Sequence, residues 1–269
     1  MRGRNSASSA ASSLFAADQG RDHSGLVPPP PPTDALAGRV VVVSPHLDDG
    51  VLSLGAAIAS WARRGAPVEL LTVFACDPAS EAETRGWDAR AGFRTEGDAA
   101  RARREEDERA CAILGATPVW LPFGSVDYER HGDEEAVRAA VASAVDGADA
   151  VLLPGSPLSH PDHAWLAGVL VGSVSFRRLG FYAEQPYMRR GGSEPEADAW
   201  LEDALGGTLR FEPVPASSRD RLAKWRAIRT YRSQLPVLGM RRSLRRGPHS
   251  VLWGEMVAWA GDRGRPSEE

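Results

Sequence analysis

Apolar positions along the chain alternate between two kinds of run. Arg39-Val-Val-Val-Val-Ser-Pro45 is a continuous β-branched stretch of the type found in strands covered on both faces. From Asp49 to Arg64 the apolar residues Val51, Leu52, Leu54, Ile58 and Trp61 recur at helical spacing, and Gly65 follows as a stop signal. The alternation then repeats. It predicts a strand at Val68–Phe74, a helix at about 98–114, a strand at Val119–Pro122, a helix at about 133–145 and a strand at Ala150–Leu153. Further on it predicts a helix at about 162–173, strands near Leu179–Ala183 and Thr208–Val214, and helices near 218–232 and 249–260.

Strands alternating with helices imply βαβ crossovers, so the expected fold is α/β, with a Rossmann-like, mostly parallel sheet and helices on both faces. Residues 1–37 are rich in Ser, Ala, Gly and Pro and end in the run Pro28–Pro32, which favours an extended polyproline conformation. The expected organisation is a disordered tail over 1–37, a single domain over 38–262 and a flexible C-terminus over 263–269. The polar stretch from Asp77 to Gly97 exceeds the ~2–6 residues of an ordinary βα connection and reads as a functional loop.

Composition narrows the classes. With 42% hydrophobic and 25% charged residues, the chain matches neither a coiled coil nor a wholly disordered protein. No window approaches the ~18–20 apolar residues of a membrane span, and the first twenty residues lack a continuous apolar h-region. A soluble, non-exported, cytoplasmic protein is therefore expected. Thirty-two basic against 36 acidic residues give a net charge of -4, which argues against a nucleic-acid partner. Cys76 and Cys111 are too few for a disulfide framework and lack CxxC spacing. Oligomeric state is not legible.

In open α/β sheets ligands bind beyond the carboxyl ends of the strands. Two segments carry chemistry there. The first strand ends in Ser44-Pro45-His46-Leu47-Asp48-Asp49-Gly50, and the strand at 150–153 leads into Ser159-His160-Pro161-Asp162-His163. Either segment alone reads equally well as a turn or a helix cap. Together they offer three N/O ligands with a fourth position left for water, the pattern of a catalytic zinc site. His46, Asp49 and His163 are the expected ligands, with another divalent first-row ion also compatible. Asp48 then remains as general base, His160, if protonated, as oxyanion stabiliser or acid, and Asp162 as the group that orients a neighbouring imidazole. Competing readings lack their motifs. No GxGxxG follows the first strand, and Ser156 lies in Pro-Gly-Ser-Pro instead of GxSxG.

Pro45-His46-Leu47-Asp48-Asp49 and His160-Pro161-Asp162-His163 resemble, in sequence and order, the two signatures of the LmbE-like (PIG-L) zinc-dependent de-N-acetylases. The resemblance spans roughly residues 39–260 and implies an LmbE-like fold that hydrolyses the N-acetyl group of a GlcNAc-type sugar. It assigns zinc to His46, Asp49 and His163, the base to Asp48 and transition-state stabilisation to His160. It also suggests substrate contacts at Arg104, Tyr182 and Glu184. Leu47 stands where many members have Pro, and Gly50 where many have Glu. The wording of the first motif resembles members that act on sugars of secondary metabolites such as glycopeptide or aminoglycoside antibiotics. Two alternatives stand beside this: hydrolysis of another amide or of a thiol conjugate of the mycothiol or bacillithiol type, and a catalytically silent sugar-binding protein of the same fold.

Overall fold

The structure, a computed structural model, describes residues 36–128, 133–188, 195–205, 207–240, 242 and 254–260. Residues 1–35 of the expected 1–37 tail and all of the expected C-terminus 263–269 lie outside these residues. Seven strands form one sheet: β1 (Val40–Ser44), β2 (Val68–Thr72), β3 (Thr117–Trp120), β4 (Ala150–Pro154), β5 (Leu179–Tyr182), β6 (Glu212–Pro213) and β7 (Met256–Trp259). Their order is β3-β2-β1-β4-β5-β7-β6. The first five are parallel, while β7 runs antiparallel to both β5 and β6. The helices are α1 (Asp49–Arg63), α2 (Gly86–Ala91), α3 (Glu96–Leu114), α4 (Glu134–Val145), α5 (Pro161–Leu170), α6 (Pro195–Leu205) and α7 (Ser218–Ile228).

The continuous apolar run of β1 has the meaning its sequence suggests. Val40 and Val42 face a core built with α1, α3 and α7, whereas Val41 and Val43 face a second core with α4, α5 and Leu201 of α6. All four valines are fully buried. Strand order reverses between β1 and β4, so the connections leaving these neighbours diverge to opposite faces and open a crevice at their carboxyl ends.

The sequence expectation fails at the far edge. The helix expected over 249–260 is instead strand β7 at Met256–Trp259, with its earlier part outside the described residues. Val257 and Ala258 are fully buried beside β5 and pair with Tyr182 and Phe181. Sheet pairing here overrides an apolar spacing that also fits a helix. The long connection from Asp77 to Gly97 contains the short helix α2.

Helix α1 is broken at Leu54, which has φ -127° and ψ 15°. The amides freed past the break, Ala56 and Ala57, donate to the two oxygens of buried Glu255 at 2.8 and 2.7 Å. Lys224 of α7 stands 2.7 Å from the same carboxylate, which supplies the counter-charge burial requires. Gly55 is needed because a Cβ there would come within 2.8 Å of the Lys224 side chain.

Candidate metal centre

The turn between β1 and α1 carries the first chemical cluster. Ser44 Oγ donates to the His46 carbonyl at 2.6 Å and accepts the Gly50 amide at 2.9 Å, which closes the turn tightly. A Cβ on Gly50 would lie 2.5 Å from Leu70 Cδ1, so close packing explains the glycine found there. Asp48 is the N-cap residue of α1, yet its side chain makes no capping bond, and its φ of 147° is strained for a non-glycine residue. The cap reading is therefore wrong for Asp48. Its buried carboxylate forms no hydrogen bond among the described residues, so it is spare.

The second cluster sits at the start of α5. His160 is the N-cap residue, and its Nδ1 accepts the Asp162 amide at 3.2 Å. Nε2 of His160 consequently carries the ring proton in the neutral form. Burial, then the charges of His46 and His163, push its pKa down to about 3. Burial and the Asp162 amide bond thus favour a neutral imidazole with an Nε2–H to donate over the protonated form expected from the sequence.

The two clusters meet at the crevice. His46 Nδ1 lies 3.1 Å from Asp49 Oδ2, His163 Nε2 lies 3.1 Å from the same oxygen, and the two nitrogens stand 3.2 Å apart. Donors bound ~2.0–2.1 Å from a tetrahedral ion stand ~3.3–3.4 Å from one another, so this near-equilateral triangle fits one face of such a coordination shell. The imidazoles of His46, His160 and His163 also offer nitrogens within 4.8 Å of one another. His160 belongs to that wider group, but the tight triangle is completed by Asp49.

Each imidazole of the triangle is oriented from behind. His46 Nε2 lies 3.1 Å from Asp162 Oδ2, which also accepts the Val126 amide at 3.1 Å. His163 Nδ1 bonds Glu184 Oε1, and the other Glu184 oxygen accepts the Leu158 amide at 2.8 Å. These partners fix which nitrogen points into the triangle. They also set the charges. For His46, burial alone would lower the pKa, but the bonds to Asp162 and Asp49 prevail and raise it to about 9. For His163, Asp49 and Glu184 likewise outweigh burial and hold it well above an ordinary imidazole. Asp49 is held well below the usual carboxylate range because the charges and hydrogen bonds of His163 and His46 outweigh burial. Asp48 goes the other way, raised by burial and then by the charge of Asp49. Carboxylates that hold protons on two imidazoles would equally hold a divalent cation, and binding it releases those protons.

Three residues that the sequence places in contact with substrate have other positions. Tyr182 is fully buried and its hydroxyl donates to the Val43 carbonyl at 3.0 Å, which makes it a core residue. Glu184 is occupied by His163 and Leu158, so it orients an imidazole instead of facing the crevice. Arg104 bonds the carbonyl of Cys76 and lies 5.5 Å from the centre of the Trp120 ring, pinning the end of β2. The residue before it was missed by sequence reasoning. Arg103 is largely buried, lies 2.5 Å from Asp88, acts electrostatically on Asp48, and leaves its Nε without a partner. Only the fold distinguishes these adjacent arginines. Trp87 is an anchor of the long loop, since its Nε1 donates to Gln234 at 2.8 Å. Tyr231 is structural and donates to Asp107 at 2.6 Å.

Glu184→Gln is expected to weaken divalent-ion binding roughly 10–100-fold, the usual effect of losing a carboxylate behind a ligating imidazole. Titration against a competing chelator measures it. Parent-like affinity would remove Glu184 from this role.

Residues 41–171, which contain both clusters, match the family model described as PIG-L, GlcNAc-PI de-N-acetylase. A 2'-N-acetylparomamine deacetylase of Streptomyces fradiae is 31% identical over 258 residues, covering 86% of this chain and 88% of that protein. Among solved structures, the pseudoaglycone deacetylase for the antimicrobial reagent A40926 is 26% identical with a TM-score of 0.61, covering 84% of this chain and 97% of its own. A triple mutant of a deacetylase from the teicoplanin biosynthetic pathway is also 26% identical, with a TM-score of 0.63 over 85% of this chain and 100% of its own.

Proposed function

The chain belongs to the PIG-L (LmbE-like) family, and from that premise we propose that it is a zinc-dependent hydrolase removing the N-acetyl group from an amino sugar carried by a secondary metabolite. The observation that carries this reading is the triangle of His46 Nδ1, Asp49 Oδ2 and His163 Nε2, with edges of 3.1–3.2 Å, beside an unengaged Asp48. Two similar proteins, the 2'-N-acetylparomamine deacetylase and the A40926 pseudoaglycone deacetylase, support the substrate class.

His46, Asp49 and His163 would hold the ion. When bound, a divalent ion there supplies a Lewis acid that polarises the amide carbonyl and acidifies water. Asp48 takes the proton of the attacking water. Its raised pKa and freedom from other hydrogen bonds suit it to that task and to passing the proton on to the leaving amine. His160 offers its Nε2–H to the developing oxyanion as a neutral donor, so no proton need be placed on it beforehand. Asp162 and Glu184 keep the two ligating imidazoles aimed. Arg103 takes the substrate-contact role first sought at Arg104, because its buried Nε has no protein acceptor.

We assign the reaction to residues 38–262 as one catalytic unit. Cys76 and Cys111 are both unpaired and buried, which supports a reducing cytoplasmic setting. No helix among the described residues is long and apolar enough to cross a membrane. The test is acetate release from a panel comprising N-acetylglucosamine, 2'-N-acetylparomamine and an N-acetylglucosaminyl glycopeptide pseudoaglycone, with and without a chelator. Chelator-sensitive release from at least one antibiotic-linked sugar is expected. Release that persists in metal-free protein, or none from any member, would overturn the reading.

A further inference from the structure

Where α3, α7 and the turn after α7 meet lies an open pocket of about 530 Å³ lined by Arg109, Arg226, Arg229, Thr230 and Arg232, none of which belongs to the two His/Asp clusters. Its size is in the range of small-ligand sites, ~300–1,000 Å³. All four arginines are exposed, and they come from three segments: α3, α7 and the turn after α7. Arg109 faces Glu105 at 3.7 Å, whereas Arg226, Arg229 and Arg232 have no carboxylate partner among the described residues. This is unusual on a chain whose net charge is -4. Four guanidinium groups around one space repel each other, and a bound anion removes that repulsion.

The floor is well fixed. Thr230 Oγ1 is 2.9 Å from the Glu106 carbonyl and 2.8 Å from that of Ala227, which ties the turn to both helices. The next residue, Tyr231, points inward to Asp107. The turn is therefore held in place beneath exposed Arg229 and Arg232. The lining also indicates what kind of anion fits. Guanidinium forks match phosphate oxygens two at a time. Four guanidinium groups around one space carry more charge than a single phosphate balances, and the lining offers little to a neutral sugar. The lining contains no aromatic residue on which a base could stack, and the nearby Trp225 ring already carries Arg229, whose guanidinium carbon lies 4.5 Å from the ring centre.

We propose that this pocket is a second ligand site, which takes a compact di- or polyphosphate without a stacked nucleobase. It is independent of the metal centre and of the deacetylation reading. The probe is inorganic pyrophosphate, titrated calorimetrically into the full chain at fixed ionic strength. Saturable binding at one site is expected, weakened at least about tenfold in the Arg226→Ala/Arg232→Ala variant and unchanged in Arg138→Ala, a surface substitution on α4. Parent-like circular dichroism and thermal unfolding show that the variants are folded. Absence of saturable binding would overturn the proposal. So would binding that survives the double substitution, which would place pyrophosphate at the metal centre, or citrate binding as tightly, which would remove the preference for phosphate.

Discussion

Asp48→Asn should lower turnover by roughly three orders of magnitude while the protein keeps its metal, in line with the ~10²–10⁴-fold that general base catalysis contributes. Asn is the informative replacement. Position 48 has a φ of 147°, and Asn tolerates positive φ nearly as well as Asp, whereas Ala would add backbone strain to the loss of the carboxylate. The amide keeps the shape of the side chain but cannot take a proton. Asp49 is unaltered, so the tight triangle of donors survives. Metal analysis alongside acetate release under saturating substrate separates the two roles. Turnover at the parent rate with full metal content would show that another group accepts the proton.

His163→Leu is expected to have the other large effect, and it acts on two observables. Metal content and turnover should both fall to background, because one vertex of the triangle is gone. Stability should fall too, by about 3–5 kcal/mol, since Glu184 is left charged and buried without the imidazole that balances it. Denaturant unfolding measures this second effect. The double variant His163→Leu/Glu184→Leu should recover much of the lost stability and none of the metal. If His163→Leu bound metal with parent stoichiometry, the triangle would not be the ion's site.

The central strands and the helices that follow them were legible because β1, β2 and β4 are buried on both faces, and such burial writes itself as uninterrupted apolar runs bounded by helical periods. The meeting of the two His/Asp clusters was legible for a related reason. Each cluster is local in sequence and directly follows such a run, so strand-end placement brought His46 and His163 together without knowledge of side-chain positions. The edge was different. Met256–Trp259 becomes a strand only because β5 offers it a pairing partner, and four residues carry too little periodicity to say so. Arg103 and Arg104 are neighbours with the same chemistry, and which of them faces Asp48 depends on the rotation of α3. Glu184 was seen as a pocket residue because it follows a strand, but its task depends on the loop after β4 lying beside it, a juxtaposition that no local pattern contains.

The residues proposed to hold the ion follow β1 and β4, adjacent strands at the middle of the sheet, whereas their neighbours Val126 and Arg103 come from the segment after β3 and from α3. Such a division of labour separates turnover from taste. On the proposed reading, peripheral segments can change to suit another sugar or aglycone while the donor triangle at the centre of the sheet stays as it is.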